Sequence, residues 1–379
     1  MTIAFTGGAS GGHFYPLIAI AEAIRDVVRV ERLVEPRLYY LGPNPFDAPA
    51  LFENGITYLH VPAGKVRRYA SFRNVTDLFV TFGGFFVALY TLFRLYPDVL
   101  VSKGSYASVP PVLAARLLGI PVVIHESDAK PGRANMIAAR FAVKIAIAFN
   151  EAAAHFSKKV QDKIARTGIP IRKELARVMA EGAREFLHLE HGIPTVLVLG
   201  GSFGASRIND AVVAALPDLV SFANVIHQTG TTLYSETAGT ARVVLEGNEN
   251  AARYHPEPYL SALALRQAAG AADVVVSRAG SGSIAEIALW RKAAILIPIP
   301  EVVSHDQRTN AYAYARTGGA VVLEEANLTP HLLASEVRRI VASTALAKQM
   351  GEKGSVFADP DAARIIAEAI LRIGLSHEL

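Results

Sequence analysis

The clearest chemical signal in this chain lies in residues 273–288, which have the sequence DVVVSRAGSGSIAEIA. Val274–Val276 predicts a buried strand, the small residues after it predict a turn, and the apolar periodicity that follows predicts a helix. The first N–H groups of a helix have no intrahelical partner, and together with the helix dipole they favour an anion. A carboxylate, Glu286, is predicted to lie within the first helical turn. We therefore predict that this segment holds the nucleotide half of an activated sugar.

Two glycine-rich turns resemble each other in the two halves of the chain. The first, Gly7-Gly8-Ala9-Ser10-Gly11-Gly12-His13, follows a predicted strand at Thr2–Thr6, and the second, Gly200–Ala205, follows one at Thr195–Leu199. Each turn precedes a predicted helix, which is the layout of a loop that approaches phosphate, although many glycine-rich turns bind no nucleotide. The repetition predicts two similar domains facing each other across a cleft.

Strands and helices alternate along most of the chain, which predicts an α/β protein with parallel sheets and right-handed crossovers. Further predicted strands are Arg37–Leu41, Tyr58–Val61, Val99–Ser102, Pro121–His125, Lys144–Ala148, Val225–His227, Arg242–Glu246, Ala294–Ile299 and Val321–Leu323. Predicted helices are Phe14–Arg25, Leu78–Leu95, Val109–Leu118, Lys173–Leu187, Arg207–Leu216, Tyr259–Ala271, Ser304–Arg316, Thr329–Ser343 and Asp359–Ile373.

The length of 379 residues predicts two domains rather than one. Gly168-Ile169-Pro170-Ile171-Arg172 has the glycine and proline of an interdomain linker. We therefore expect domains at 1–170 and 171–359, with a C-terminal helix within 360–379 that packs back on the first domain.

Composition restricts the possible classes of protein. Apolar residues make up 51% and charged residues 19%, which excludes disorder as the overall state. With no cysteine, the chain has neither disulfides nor thiolate chemistry. A net charge of +4 and a sequence pI of about 9.2 predict anionic partners such as nucleotides or phospholipid surfaces. No nucleic-acid partner is expected, because the basic residues are dispersed without interleaved aromatic residues.

One apolar segment raises the question of a membrane. Leu78–Leu95 is rich in phenylalanine, but its charge-free part is shorter than the roughly 20 residues that a spanning helix needs. We therefore predict a buried or interfacial helix. Arg67, Arg68 and Arg73 precede it and favour an anionic membrane surface, whereas simple packing in the domain core is the alternative.

Five segments together resemble the MurG family of membrane-associated GlcNAc transferases. They are Gly7–His13, His125-Glu126-Ser127-Asp128 with Gly132 and Asn135, Gly200–Ala205, Ser277–Glu286 and Asp306–Ala311. The resemblance extends from about residue 2 to about residue 325, with the motifs in family order. It implies the GT-B fold, in which two Rossmann-like domains with parallel sheets face each other across a cleft.

The resemblance also implies an activity. The family consists of inverting hexosyltransferases that move GlcNAc from UDP-GlcNAc to lipid I, the undecaprenyl-diphospho-MurNAc-peptide, and so form lipid II for peptidoglycan synthesis, cell shape and cell division. The first domain would then face the acceptor and the membrane, and the second would bind the UDP-sugar. The expected location is the cytoplasmic face of the cell membrane, as a peripheral protein with no cofactor.

Site residues follow from the resemblance position by position. In the first domain Ser10, Gly11 and Gly12 would approach the donor sugar and diphosphate, and near the linker Arg172 would contact donor phosphate. In the second domain Ser202 would bind phosphate and Leu260 would lie beside the uracil. The nucleoside would lie against Ser281, Gly282, Ser283, Ile284, Ala285 and Glu286, with Glu286 accepting hydrogen bonds from the ribose. Gln307 and Asp306 would bind the sugar hydroxyls.

The chain departs from the family pattern in three of these segments. The family motif His-Glu-Gln-Asn appears here as His-Glu-Ser-Asp, so that Asp128 replaces an amide with a carboxylate. An ionised carboxylate cannot donate a hydrogen bond, but it can still accept one from a sugar hydroxyl. Phe203 stands where glutamine is usual, and Asp306 replaces one of two paired glutamines. These changes bear on which sugar is bound.

Several residues also have structural interpretations. Ser283–Glu286 and Ser304–Gln307 both match the capping-box spacing, in which the acidic or amide side chain bonds back to the helix start. Arg172 could be a solvated linker arginine, and His125 is expected to be a satisfied core histidine. For the catalytic base we predict His13 first and Glu126 second, because a base with a pKa near the working pH is preferred.

No metal site is predicted. Asp359-Pro360-Asp361 is the one Asp-x-Asp in the sequence, and a helix start explains it better than a metal does. Two other functions stay open at this point. One is a different GT-B enzyme, such as a UDP-GlcNAc 2-epimerase, and the other is a nucleotide-sugar-binding module without turnover.

Overall fold

The protein, seen in a computed structural model, is described at residues 1–8, 10–65, 72–201, 204–300 and 307–376. It forms two compact units. Unit 1 comprises Met1–Arg172 and Asp359–Leu379, and unit 2 comprises Lys173–Ala358. The chain therefore leaves unit 1 once and returns to it for the C-terminal helix.

Unit 1 is built on a seven-stranded parallel sheet in the order β3-β2-β1-β4-β5-β6-β7. Its strands are β1 Thr2–Thr6, β2 Arg37–Gly42, β3 Ile56–His60, β4 Val99–Ser102, β5 Val122–Glu126, β6 Lys144–Ile147 and β7 Ile164–Arg166. Its helices are α1 Gly11–Val30, α2 Ala48–Glu53, α3 Phe72–Leu95, α4 Val109–Leu118, α5 Arg133–Ala138, α6 Asn150–Ala153 and, at the end of the chain, α15 Ala362–Leu375.

Apolar side chains cover both faces of this sheet, as expected for parallel strands. Along β1, Ile3 and Phe5 join one buried cluster, which also contains residues of α1 and α15. Ala4 points the other way and joins a second cluster, which contains residues of α3 and α4. The alternation follows from the two-residue period of a strand.

Unit 2 contains a six-stranded parallel sheet in the order β10-β9-β8-β11-β12-β13. Its strands are β8 Thr195–Leu199, β9 Asn224–Gln228, β10 Tyr254–Glu257, β11 Val274–Ser277, β12 Ala293–Leu296 and β13 Ala320–Val322. Its helices are α7 Ala183–Phe186, α8 Ser206–Leu219, α9 Tyr234–Val244, α10 Ala262–Ala271, α11 Ser281–Leu289, α12 Gln307–Ala315, α13 Pro330–Val341 and α14 Thr344–Ser355. Val196, Val274 and Ile295 form the sheet side of its main core.

Helix α3 presents an apolar face to solvent. Its other face is buried through Ala88 and Leu92 against the second cluster of unit 1. Over Val75–Leu95 the helix is long and apolar enough to cross a membrane by length and composition, yet only 17% of the apolar window is buried. Phe79 and Phe82 are 71% and 63% exposed. The alternative that this helix simply packs in the core is therefore wrong for its outer face.

Two predicted elements are wrong. Lys173–Leu187 is not one helix, but a short 3-10 turn at Lys173–Leu175 followed by α7. Its backbone instead bonds to other elements: the Leu175 carbonyl accepts from the Trp290 indole at 2.8 Å, and the Met179 N–H donates to Arg266 O at 3.0 Å. Arg242–Glu246 is not a strand, because it forms the end of α9 and the turn after it. The elements that were not predicted are strands β7 and β10 and helices α2, α5, α6, α9 and α14.

The two carboxylates of the Asp359-Pro360-Asp361 segment act in the approach to α15. Asp359 Oδ1 accepts a hydrogen bond from the Asp361 N–H at 2.9 Å, and Asp361 pairs with Arg364 at 3.2 Å. Among the residues that the structure describes, no group of three or more His, Cys, Asp or Glu side chains is arranged to hold a metal ion.

Candidate functional site

Each sheet has a point at which the strand order reverses. In unit 1 it lies between β1 and β4, and in unit 2 between β8 and β11. Ligands of open α/β sheets bind outside the carboxyl ends of the strands at such points. The residues that follow these four strands are Gly7, Lys103, Gly200 and Arg278. Both glycine-rich turns and the segment around Glu286 thus begin at the expected edge of their own sheet.

The first glycine turn requires its glycines. Gly7 and Gly8 have φ angles of 138° and 86°, which other residues rarely adopt. A Cβ at Gly7 would lie 3.0 Å from the Lys103 Cβ, so the turn runs directly beside the end of β4. Helix α1 begins at Gly11. The prediction placed its start three residues later, at Phe14. Gly11, Gly12 and His13 therefore form its first turn, and the N–H groups of the two glycines open the helix.

His13 is oriented by its neighbour Ser10, which precedes α1 in extended conformation. Ser10 Oγ lies 3.1 Å from His13 Nδ1. When Nδ1 donates its proton to this oxygen, Nε2 becomes the basic nitrogen of the neutral ring. The imidazole is half-buried at the mouth of the turn. This arrangement is suited to proton transfer.

Glu126, the second candidate base, is deeply involved in local structure. It is 4% exposed, and its two oxygens accept hydrogen bonds from the Asp128 N–H, the Gly132 N–H and Asn135 Nδ2 at 2.9, 2.9 and 3.0 Å. Burial raises its pKa, the Asp128 carboxylate raises it further, and Lys103 opposes both. The geometry favours a role in holding the loop 127–135 over abstraction of a proton from a substrate.

Two further residues of unit 1, His125 and Arg172, had structural interpretations from the sequence. His125 is fully buried, its Nε2 lies 2.9 Å from Gly168 O, and burial lowers its pKa to about 3. The interpretation as a buried core histidine is confirmed, but the prediction that it is satisfied holds only for Nε2, since the buried Nδ1 has no hydrogen-bond partner in the described part of the chain. The Arg172 guanidinium lies 3.9 Å above the Tyr15 ring, whose hydroxyl donates to Asp47 at 3.1 Å. Arg172 is therefore held on an aromatic ring next to α1 and is not simply a solvated linker residue.

In unit 2 the second glycine turn connects β8 to α8. The Gly200 N–H donates to Gln228 O at 3.1 Å, and Gly201 and Gly204 have φ angles of 79° and 81°. Helix α8 then begins at Ser206. The predicted phosphate ligand Ser202 and its neighbour Phe203 lie outside the described residues.

Helix α11 begins at Ser281, with Gly280 as the residue before it. Gly282 and Ser283 complete the first turn, and Glu286 lies in the second turn. The prediction that Glu286 lies in the first turn is therefore wrong. Ser283–Glu286 is therefore not a capping box, because a capping box needs its serine at the position that Gly280 occupies. Ile284 and Ala285 are buried, so their side chains face the core.

Two further predicted ligands lie in unit 2. Leu260 is buried, and its N–H donates to Gln228 Oε1 at 3.3 Å. Gln307 starts the described part of α12, and its Oε1 accepts from the Ile299 N–H at 3.1 Å. Its Nε2 lies 3.9 Å from the place that a Cβ at Gly280 would take, which brings the starts of α12 and α11 together. Asp306 and Ser304 lie outside the described residues.

A charge network beside the second glycine turn was not predicted from the sequence. Arg278 Nη1 donates to Glu325 Oε2 at 3.0 Å, and the other oxygen of Glu325 lies 3.4 Å from Arg207 Nε. Arg278 and Glu325 are mostly buried, and the pair lies at the start of the α11 turn. The available signal was an arginine directly after a buried strand, where an apolar or small residue is common.

Comparison with known proteins gives this arrangement a family. Residues 3–147 match the glycosyltransferase family 28 N-terminal domain, and residues 195–366 match the C-terminal domain of the same family. A UDP-N-acetylglucosamine–N-acetylmuramyl-(pentapeptide) pyrophosphoryl-undecaprenol N-acetylglucosamine transferase of Shouchella clausii is 37% identical over 89% of this chain and 90% of its own length. The Treponema denticola transferase of the same name is 31% identical over 97% and 96%.

Solved structures are similar in fold. The crystal structure of Acinetobacter baumannii MurG covers 98% of this chain and 99% of its own, with a TM-score of 0.72 at 24% identity. A putative UDP-N-acetylglucosamine 2-epimerase from Listeria monocytogenes covers 100% and 96%, with a TM-score of 0.71 at 14% identity. These likenesses show the GT-B fold. Both domains and nearly the whole length agree, and the chain belongs to glycosyltransferase family 28, together with these N-acetylglucosamine transferases.

Proposed function

We propose that this chain is an inverting glycosyltransferase that moves GlcNAc from UDP-GlcNAc to lipid I, the undecaprenyl-diphospho-MurNAc-peptide, and so forms lipid II in peptidoglycan synthesis. The observation that carries the proposal is the identity of 31–37% to N-acetylglucosamine transferases over nearly the full length of both chains. The positions of the glycine turns and of His13 agree with it.

The donor belongs to unit 2 in this proposal. The N–H groups of Ser281, Gly282 and Ser283 open α11 and supply partial positive charge for the UDP. Glu286, one turn further on, accepts hydrogen bonds from the ribose, and Leu260 lies beside the uracil. Gln307 binds the sugar hydroxyls. Ser202 and Asp306 are assigned to phosphate and sugar by their positions in the sequence.

The acceptor hydroxyl is activated in unit 1. His13 Nε2 takes the proton of the hydroxyl, whose oxygen then bonds to the anomeric carbon of GlcNAc from the face opposite the diphosphate. The bond between that carbon and the diphosphate oxygen breaks, and UDP leaves with the electron pair. Arg172 and the N–H groups of Gly11 and Gly12 stabilise the charge that develops on the diphosphate.

A membrane surface is the second partner in the proposal. The outer face of α3 exposes Phe79, Phe82 and Tyr90, and Leu117 of the neighbouring α4 is also exposed. The exposed arginine Arg94 lies 5.8 Å from the centre of the Tyr90 ring. Exposed aromatic residues beside basic ones suit the interface of an anionic leaflet. The protein would then bind the cytoplasmic face of the cell membrane peripherally, where its lipid-linked acceptor lies.

One assay separates the three candidate functions. The protein is incubated with UDP-GlcNAc and a lipid I analogue, and the products are separated. Formation of lipid II and UDP supports the transferase. Free ManNAc without lipid II would support a UDP-GlcNAc 2-epimerase, which the fold alone would permit. Binding of UDP-GlcNAc without any product would leave only a binding module and would contradict the proposal.

A further inference from the structure

Lys103 is a buried cation that the proposed reaction does not use. It follows β4 at the point where the strand order of unit 1 reverses, and its side chain is 1% exposed. Lys103 Nζ donates to Ser127 Oγ at 2.7 Å. A buried ammonium group is unfavourable unless opposite charge and hydrogen bonds compensate it. Its surroundings should therefore contain the compensating groups.

Those groups lie at the end of β5 and on the loop after it. The titratable side chains that interact with Lys103 electrostatically are Glu126, Asp128 and His125. The two carboxylates favour the charged form of Lys103, whereas burial lowers the pKa of its ammonium group. The neutral, buried His125 adds no charge. The cluster thus contains one cation, Lys103, and two carboxylates, Glu126 and Asp128. Glu126 is almost fully buried.

The backbone of Lys103 connects this cluster to the first glycine turn. Its N–H donates to Thr6 O at 2.9 Å, and its Cβ packs where a Cβ at Gly7 would lie 3.0 Å away. The next residue, Gly104, packs against the side chain of Asn135, which in turn donates to Glu126. Lys103 is therefore the link between the turn that carries His13 and the loop that carries Asp128.

We propose that Lys103 is a positioning residue: an internal counter-ion that ties residues 126–128 to the Gly7 turn and so fixes Asp128 as the carboxylate that accepts a hydrogen bond from a sugar hydroxyl. The inference rests on the proposed function for the identity of that sugar, but not for the pairing of charges. Asp128 introduces a negative charge beside the buried Glu126, and Lys103 supplies the matching positive charge.

A double-mutant cycle tests the pairing without any substrate. The variants are Lys103→Met, Asp128→Asn and the double variant, and Lys144→Met, at an exposed lysine of the same unit, is the control. Urea unfolding at pH 7 is measured for each. Lys103→Met should unfold at a lower urea concentration than the parent, because it leaves two carboxylates without their cation, whereas Asp128→Asn leaves Lys103 balanced by Glu126. Adding Asp128→Asn to Lys103→Met should therefore recover part of the loss. Additive effects of the two changes would overturn the proposal.

Lys103→Met alone could fail to fold. In that case the double variant should fold where the single one does not, and failure of both, with Asp128→Asn stable, would equally overturn the pairing. A second readout is the pH dependence of unfolding. Without Lys103 the pKa of Glu126 rises further, so protonation of the carboxyl favours the folded state more strongly. The deficit of Lys103→Met should therefore shrink as the pH falls, and an unchanged deficit counts against the pairing.

Kinetics then tests the positioning role. Asp128→Asn, and Lys103→Met if folded, should raise the KM for the sugar substrate that Asp128 contacts by about tenfold. The first replaces a hydrogen bond to a carboxylate with a weaker one to an amide, and the second displaces the carboxylate. Binding of UDP alone should stay unchanged. If the parent protein forms no lipid II, the proposed function fails, while the unfolding cycle still decides the pairing. Unchanged KM values for both substrates, with an active parent, would overturn the positioning role.

Discussion

At the scale of single residues, the hydrogen bond between Ser10 and His13 has the most direct consequence for catalysis. When Nδ1 donates its proton to Ser10 Oγ, Nε2 is the nitrogen that accepts a proton from a substrate, and general base catalysis contributes roughly 10²–10⁴-fold. We expect His13→Ala to lower kcat about 100-fold or more by the same principle, with little change in the KM for UDP-GlcNAc. The measurement is the steady-state rate of UDP release with saturating acceptor.

Two further variants make this test specific. Ser10→Ala keeps the imidazole but removes its orienting oxygen, so its kcat should fall less than that of His13→Ala. His331→Ala removes an exposed histidine of α13 and should have the parent kcat. Equal turnover of His13→Ala and the parent protein would exclude His13 as the base.

Glu286 tests the nucleotide site, because its two interpretations predict different results. A capping glutamate would lower stability on mutation, but the start of α11 at Ser281, with Gly280 as its cap, removes that role. We expect Glu286→Gln to weaken UDP binding about tenfold, because a hydrogen bond to a charged carboxylate becomes a weaker one to a neutral amide, with little change in melting temperature. Titration calorimetry with UDP and a thermal melt measure the two. Glu352→Gln, at an exposed position of α14, is the control.

The strands and turns that carry the candidate site residues could be predicted better than the hydrogen bonds of those residues. The offset of three between Ser283 and Glu286 is visible in the sequence, but the helix start that gives it meaning depends on the extended backbone of Gly280. Glu126 shows the same limit. It was predicted as the second candidate base, whereas the three donors that occupy its oxygens come from Asp128, Gly132 and Asn135, which the loop brings together only on folding.

At the scale of elements, helix α3 has an exposed apolar face that a membrane surface would cover. Burying a phenylalanine side chain is worth about 1.5–3 kcal/mol. Phe79→Ser should therefore weaken binding to vesicles that contain phosphatidylglycerol by about tenfold or more. Phe52→Ser, a change of the same residue type at an exposed position of α2, is the matched control and should bind as the parent does. Cosedimentation measures both.

If Phe79→Ser and Phe52→Ser bound the vesicles equally, α3 would not be the membrane face. Thermal melts of both variants show whether either change affects folding. Both residues are exposed, so the free energy of unfolding should change little in each case.

Elements with strong local signals could be predicted closely. Thr2–Thr6, Val99–Ser102 and Val109–Leu118 have the predicted bounds, because each is an apolar run between breaking residues. Lys173–Leu187 could not be predicted, since its mixed charges resemble a surface helix while its carbonyl and N–H groups bond to α10 and Trp290. The apolar residues of Arg242–Glu246 suggested a strand, although Val243 lies exposed on α9.

At the scale of the whole molecule, one buried histidine in each unit makes stability depend on pH. Burial lowers the pKa of His125 and of His227 to about 3. Between pH 6.5 and 3 the unfolded chain therefore binds protons that the folded chain does not, and stability falls as the pH falls. Each histidine contributes about 1.4 kcal/mol per pH unit in this window. Glu126, with a raised pKa, acts in the opposite direction above pH 4.5.

The contribution of one histidine can be isolated. In His227→Gln the free energy of unfolding should fall less steeply with pH, by about 1.4 kcal/mol per unit between pH 6 and 5. Urea unfolding at several pH values measures the slope. His331→Gln, at an exposed site, should keep the slope of the parent protein. An unchanged slope in His227→Gln would mean that His227 is protonated in the folded state.

Helix α15 has a consequence for the order in which the protein is made. Its Ile366, Ile370 and Leu371 belong to the same buried cluster as β1 and α1, although almost the whole chain separates them in synthesis. Unit 2 is complete once Ala358 has left the ribosome, but unit 1 still lacks part of its core at that moment. Unit 1 is therefore the first unit to be synthesised but the last to complete its core. A nascent chain halted before residue 362 should resist protease in unit 2 while residues 1–172 remain open to cleavage.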